Sequence, residues 1–200
     1  MHAIEELEYL IDSLKSLPGV GYKTAAKWAY FLINKDSHYI NEFTRRIINA
    51  KNVIKYCINC NNFSKTQLCS ICSDNYRNHK QICVVSHIED LQRIEESGVY
   101  NGIYYVLHAE INPRKPNEIV SLIDKFQKNL NNNSKIEEII IATNFTISGQ
   151  FTSNKLCESL NNFNGRIYRI GLGLPINSAL DYADNETIKY SFINKNKIRG

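Results

Sequence analysis

No stretch of this 200-residue chain approaches the ~20 consecutive apolar residues that a membrane-spanning helix requires. Its first residues, MHAIEELEYLIDSLKSL, are acidic and amphipathic, without the basic start and unbroken apolar stretch of a secretion signal. The expected location is therefore the cytoplasm. A strong excess of one charge is also missing: the formal charge is +4, which permits a nucleic-acid partner without requiring one. With 43% hydrophobic and 22% charged residues, the composition excludes wholesale disorder. It suits one medium domain, or a small element joined to one. Cysteine is sparse too, six in all, yet four of the six stand in CINCNNFSKTQLCSIC at 57–72.

Disulfides seldom persist in a reducing cytoplasm, so clustered cysteines there point to metal ligation or redox chemistry. A redox site needs only one C-x-x-C, at a strand–helix junction, whereas this segment has two, eight residues apart. Two such knuckles, Cys57/Cys60 and Cys69/Cys72, can close around one tetrahedral Zn²⁺. Four thiolates leave no coordination position for substrate, so the ion is read as a structural staple. The remaining two differ in kind. Cys83 in QICVVS and Cys157 in SNKLCESL are expected to be buried small hydrophobes.

Upstream, Ile4, Leu7, Leu10, Ile11, Leu14 and Leu17 recur at helical spacing, opposite Glu5, Glu6, Glu8, Asp12 and Lys15. Pro18-Gly19 ends that helix, Gly21 permits a second tight turn, and a new helix starts at Tyr22. Ala25, Trp28, Ala29 and Leu32 form its apolar stripe. Helix, Gly-x-Gly turn and helix is the helix-hairpin-helix pattern. Gly19 and Gly21 let the turn approach a phosphate, and the N–H groups opening the second helix point at the anion. Lys23 and Lys27 add charge beside it, as do Arg45, Arg46, Lys51 and Lys55 in a basic third helix. An ordinary helical packing unit with solvated lysines is the alternative. Contact with a DNA backbone carries no sequence preference. Large apolar residues such as Trp28, Phe31 and Phe43 are more than three short helices can bury, which points to pairing between subunits.

Downstream of the cysteines, apolar runs at 82–87, 102–108, 136–144 and 166–175 alternate with helical stretches such as 117–130. Strands apolar throughout predict an α/β domain with a parallel sheet covered on both faces, its working residues at the C-terminal strand ends. Those ends offer few acids. The first has Ser86, His87, Glu89 and Asp90, the second His108 and Glu110, and the third, TNFTISGQFT, has none. Glu89 and Asp90 read equally as first-turn helix acids, and His87 and His108 as polar strand-end residues. A Mg²⁺ phosphotransfer site needs carboxylates converging from two strand ends, so no intact catalytic site is expected.

In this order, LPGVGYKTA, the C-x2-C-x8-C-x2-C segment and QICVV, with GIYYVLH, EIIIATNFT and KYSFINKNKIR beyond them, resemble the bacterial RecR recombination mediators over nearly the whole chain. The resemblance implies a helix-hairpin-helix region at 1–55, a four-cysteine zinc finger at 56–78, a Toprim-like domain at 79–175 and a C-terminal helix or tail at 176–200. It implies Lys23 and Lys27 as DNA contacts, and Cys57, Cys60, Cys69 and Cys72 as ligands of one structural zinc. It further implies a ring-shaped oligomer, a tetramer, working with RecO and RecF to load recombinase on gapped DNA. Departures cluster in the Toprim part: Ser86 stands where that pattern has Glu, Ala109-Glu110 replaces its small-residue–His step, and Ser148 and Gln150 replace acids. Gly173-Leu174-Pro175 keeps the pattern's turn, but Asn177 and Ser178 replace the glycines after it. A DNA-binding clamp without enzymatic activity follows. The competing readings are a Toprim-type Mg²⁺-dependent nuclease or primase, and a zinc-stapled assembly module with no DNA role.

Overall fold

The structure is a computed structural model and describes residues 4–115, 119–133, 135–195 and 197. It forms two compact units, Met1–Ile54 and Lys55–Gly200.

The first unit holds three helices: α1 (Glu5–Lys15), α2 (Tyr22–Ile33) and α3 (Ser37–Val53). Acids in the first turn of α1 and Lys15 in its last complement the helix dipole. The Asp36 carboxylate caps α3 by accepting from the Tyr39 N–H at 2.7 Å. Ile11, Ala25 and Ala29 are buried where α1 crosses α2, with Leu7, Leu10, Leu14 and Val20 packed around them. The two alanines permit that close approach. The expected apolar stripe is wider than the contact: Trp28 stays 41% exposed, because α1 covers only the alanine line. Ile4 and Leu17 lie outside α1 and are exposed, since the helix starts after Ile4 and is capped at Ser16.

The second unit opens with an antiparallel ribbon, β1 (Lys55–Tyr56) and β2 (Phe63–Ser64), and a single turn, α4 (Ser70–Ser73). Then follow β3 (Asn78–Val85), α5 (Ile88–Ser97), β4 (Gly102–Val106), α6 (Ile119–Asn132), β5 (Glu138–Ala142), α7 (Ile147–Ser159), β6 (Arg166–Arg169) and α8 (Asn185–Ile193). Residues 117 and 118 of the expected helix, and 196 and 198–200 of the expected C-terminal tail, lie outside the described residues. The four long strands pair in the order β4-β3-β5-β6, all parallel.

Period-two alternation splits the sheet's side chains between two cores. Ile82, Val84, Ile103, Tyr105, Ile139 and Ile141 pack against Ile123 and Phe126 of α6 and Leu156 of α7. On the opposite face Cys83, Val85, Tyr104 and Val106 pack against Ile88 and Leu91 of α5, and against the four clustered cysteines. That face is covered only in part: β6 is an edge strand, and its Tyr168 is 49% exposed. Cys83 is buried as expected, its thiol pushed up to about 12 by desolvation. Cys157 is exposed instead: Leu156 takes the core side of α7, and one residue on the helix has turned away.

Candidate metal centre and nucleic-acid interface

Cys57, Cys60, Cys69 and Cys72 are all buried, and their Sγ atoms lie within 4.8 Å of one another. Cys60 and Cys69 Sγ are 3.4 Å apart. A tetrahedron with bonds of about 2.3 Å has edges of about 3.8 Å, so the cage is close to zinc size. Backbone N–H groups already point at the sulfurs. Asn62 donates to Cys60 Sγ at 3.4 Å, Cys69 to Cys57 Sγ at 3.3 Å and Cys72 to Cys69 Sγ at 3.5 Å. Such bonds favour thiolates. The Cys69 thiol is held far down, to about 2, by hydrogen bonding from Cys60 and then Cys72. Cys60 and Cys72 are pushed up in return, by the bond to Cys69 and the bond to Cys60 respectively. Thiols packed this closely cannot all ionise without a cation, and Zn²⁺ fits this donor set.

The first knuckle also closes the free edge of the sheet. The Val106 N–H of edge strand β4 donates to Cys60 O at 2.8 Å, and Asn61 Nδ2 returns a bond to Val106 O at 3.2 Å. Asn129 of α6 donates from Nδ2 to Asn59 O at 2.5 Å. His108 Nε2–H donates to Asn61 O at 2.7 Å. Asn61 and His108 both sit at positive φ, 59° and 64°, to make this junction.

At the C-terminal strand ends the order reverses between β3 and β5, where α/β sheets bind their ligands. Glu110 fills that crevice. Its Oε1 accepts from Ser86 Oγ at 2.7 Å and from the Asn144 N–H at 3.0 Å, and its Oε2 from Thr146 Oγ1 at 3.0 Å. Desolvation works against ionising Glu110, but the bonds from Ser86, Asn144 and Thr146 outweigh it and hold the carboxyl below the usual range. Arg169 occupies the adjacent strand end, donating to Thr143 Oγ1 at 2.6 Å and to the carbonyls of Thr143 and Asn144 at 3.0 and 3.1 Å. Asp90 accepts from the His87 N–H at 2.9 Å, so it caps α5, and Glu89 is an exposed first-turn acid. Among the described residues, the cysteines are the one group of three or more His, Cys, Asp or Glu side chains gathered closely enough for an ion.

In the hairpin, Gly19 has φ +75°, a conformation costly for any residue with a Cβ. Gly21 precedes α2 with no side chain to cap it, and α2 has no acid in its first turn. The turn is open at this point: a Cβ built on Gly21 meets nothing within 4 Å. Lys23 and Lys27 are exposed. The expected basic third helix is partly neutralised, since Glu42 holds both Arg45 at 2.6 Å and Arg46 at 2.9 Å.

Comparison with known proteins meets this geometry segment by segment. Residues 7–51 match the family model for the RecR helix-hairpin-helix, residues 54–74 that for the RecR four-cysteine zinc finger domain, and residues 80–171 that for the Toprim domain. A curated relative from Ureaplasma urealyticum serovar 10, named recombination protein RecR, is 45% identical over 97% of both chains. Relatives of the same name from Ureaplasma parvum serovar 3 match to the same degree. The chain belongs to the RecR family. Its fold class and its four-cysteine zinc site are those the sequence pointed to.

Several residues that shape this RecR-family fold carry no signal in the sequence. Asn61 and Arg169 join segments 25 to 47 positions apart, and nothing local marks them; His108 reads from the sequence only as a polar strand-end residue. Glu110 and Ser86 stand out as departures from the Toprim pattern, but their hydrogen bond is not legible from the sequence.

Proposed function

We propose that this chain is a sequence-independent DNA-binding mediator of recombinational repair with no enzymatic activity of its own. The observation that carries the reading is the hairpin: an uncapped, acid-free start to α2, flanked by exposed Lys23 and Lys27. Gly19 and Gly21 admit a phosphate to the turn, the free N–H groups bind it, and the two lysines neutralise its neighbours. Each of these contacts reads the backbone and none reads bases. The Toprim strand ends support the non-catalytic half. Their one central carboxylate, Glu110, already accepts from three protein donors, and Ser86 offers a hydroxyl where a second acid would be needed to share Mg²⁺.

Membership of the family, together with the name its relatives carry, supports recombination as the setting. On this reading the chain works with RecO and RecF at gapped DNA, in the cytoplasm and on the nucleoid. It assembles as a ring, a tetramer. Exposed Trp28, Phe31, Phe43, Ile47 and Ile48 in the first unit supply apolar area for that assembly. The test is a gel shift of gapped duplex DNA in Mg²⁺, with the same samples run on a denaturing gel. The reading expects a shift with every strand intact. Strand cleavage or extension, or no shift at all, contradicts it.

A further inference from the structure

A second surface, separate from the hairpin, has the chemistry of a nucleic-acid contact. Three rings stand in a row on the second unit. Phe63 and Tyr56 are opposite one another in the β1–β2 ribbon and stack at 5.7 Å with planes 21° apart. Tyr56 in turn meets His108, from beyond the end of β4, at 4.6 Å between centroids with the planes tilted by 59°, so His108 buttresses Tyr56 rather than extending the stack. The row is rigid, because the His108 ring is tied to Asn61 O and the ribbon is tied to the cysteine cage. It is also open: Tyr56 is 57% and Phe63 52% exposed.

Folding does not explain that exposure. The ribbon is held by Cys57, Cys60 and Cys69, each at most 2% exposed, and by edge bonding to Val106. Rings needed as core would face inward with them. Instead they face solvent with exposed Lys55 beside Tyr56 and exposed Lys65 just beyond β2. No acidic residue occurs anywhere between Glu42 and Asp74. Two exposed, near-parallel rings, bordered by lysines in a segment without acids, suit unpaired bases and the phosphates joining them. A duplex presents no free base faces, so this surface selects single strands.

We infer that Tyr56 and Phe63, buttressed by His108, form a base-stacking platform for single-stranded DNA, with Lys55 and Lys65 on its phosphates. It goes beyond the backbone contact assigned to the hairpin, and would let one chain grip both the duplex and the single-stranded part of a gap.

The experiment compares binding of full-length, zinc-loaded protein to oligothymidylate and to an abasic strand of equal length and charge, by fluorescence anisotropy. Stacking predicts about ten-fold or greater preference for the strand with bases. Tyr56→Leu with Phe63→Leu removes that preference while duplex binding and zinc content stay unchanged. Lys23→Glu with Lys27→Glu weakens duplex binding but keeps the preference, so failure of the platform and failure of the hairpin are told apart. Should the leucine variant lose its zinc, Tyr56→Trp in a Trp28→Phe background gives a second reading: its fluorescence is quenched by oligothymidylate and not by the abasic strand. Equal affinity for both strands, or an unquenched tryptophan, overturns the proposal. A patch serving only as a protein contact gives that same equality and overturns it too.

Discussion

The Ser86 hydroxyl donates a 2.7 Å hydrogen bond to the Glu110 carboxylate, across the crevice where this sheet's strand order reverses. Asn144 and Thr146 complete the set, so the carboxylate links β3, the segment after β4 and the start of α7. A group so placed stabilises the fold more readily than it binds a metal. Glu110→Gln replaces one accepting oxygen with a donor amine facing donors. The expected loss is about 1–3 kcal/mol in urea unfolding. Unchanged stability would restore Glu110 as a catalytic candidate.

The same carboxylate, with Glu95, sets an acid limit. Glu95 is held below the usual range chiefly by Arg77, against desolvation, with a further bond from the Tyr104 hydroxyl at 2.6 Å. Both folded-state values are depressed. Their contribution is therefore complete above the unfolded carboxyl pKa of about 4.3 and is lost as pH falls through the folded values. Melting temperature should drop on acidification below about pH 4, and a Glu95→Gln, Glu110→Gln variant should show a shallower drop. Parallel curves would contradict the assignment.

Zinc removal should release the edge of the sheet as well as the ribbon. The Val106 N–H donates to Cys60 O, a carbonyl held by the cage. Metal analysis should find one zinc per chain, and chelation should accelerate Val106 amide exchange. A loss of even ~3 kcal/mol lowers the melting temperature by about 6–12 °C in a domain of this size. Slow Val106 exchange in metal-free protein would rule out this coupling.

Two glycines separate packing from function. A Cβ on Gly149 would sit 2.1 Å from Asn144 O, so Gly149→Ala must displace backbone and should cost more than about 2 kcal/mol. A Cβ on Gly21 meets nothing, and its φ of −82° suits alanine. Gly21→Ala should alter stability by no more than about 1 kcal/mol yet weaken gapped-DNA binding, because the methyl group stands where a phosphate would approach.

What the sequence revealed follows the range of the interactions involved. The Cys-x-x-Cys knuckles, the Gly19 turn, the start of α2 at Tyr22 and the alternation of strands and helices are local patterns, and they were readable. The exposure of Cys157 was not, because it depends on which helix face finds a neighbour. Nor was the Glu110 network, whose members lie 24 to 36 positions apart in the chain. The scarcity of acids at the strand ends is a sequence pattern; that Glu110 turns into the crevice to accept from Ser86, Asn144 and Thr146 is a matter of tertiary packing.

The most direct test of the account is the salt dependence of gapped-duplex binding for the natural chain and for Lys23→Glu, Lys27→Glu. Backbone contact by both lysines predicts that log affinity falls linearly with log salt, and that the variant binds more weakly with a slope shallower by about two. Equal slopes and equal affinities would contradict the hairpin as the DNA contact, and with it the proposed function.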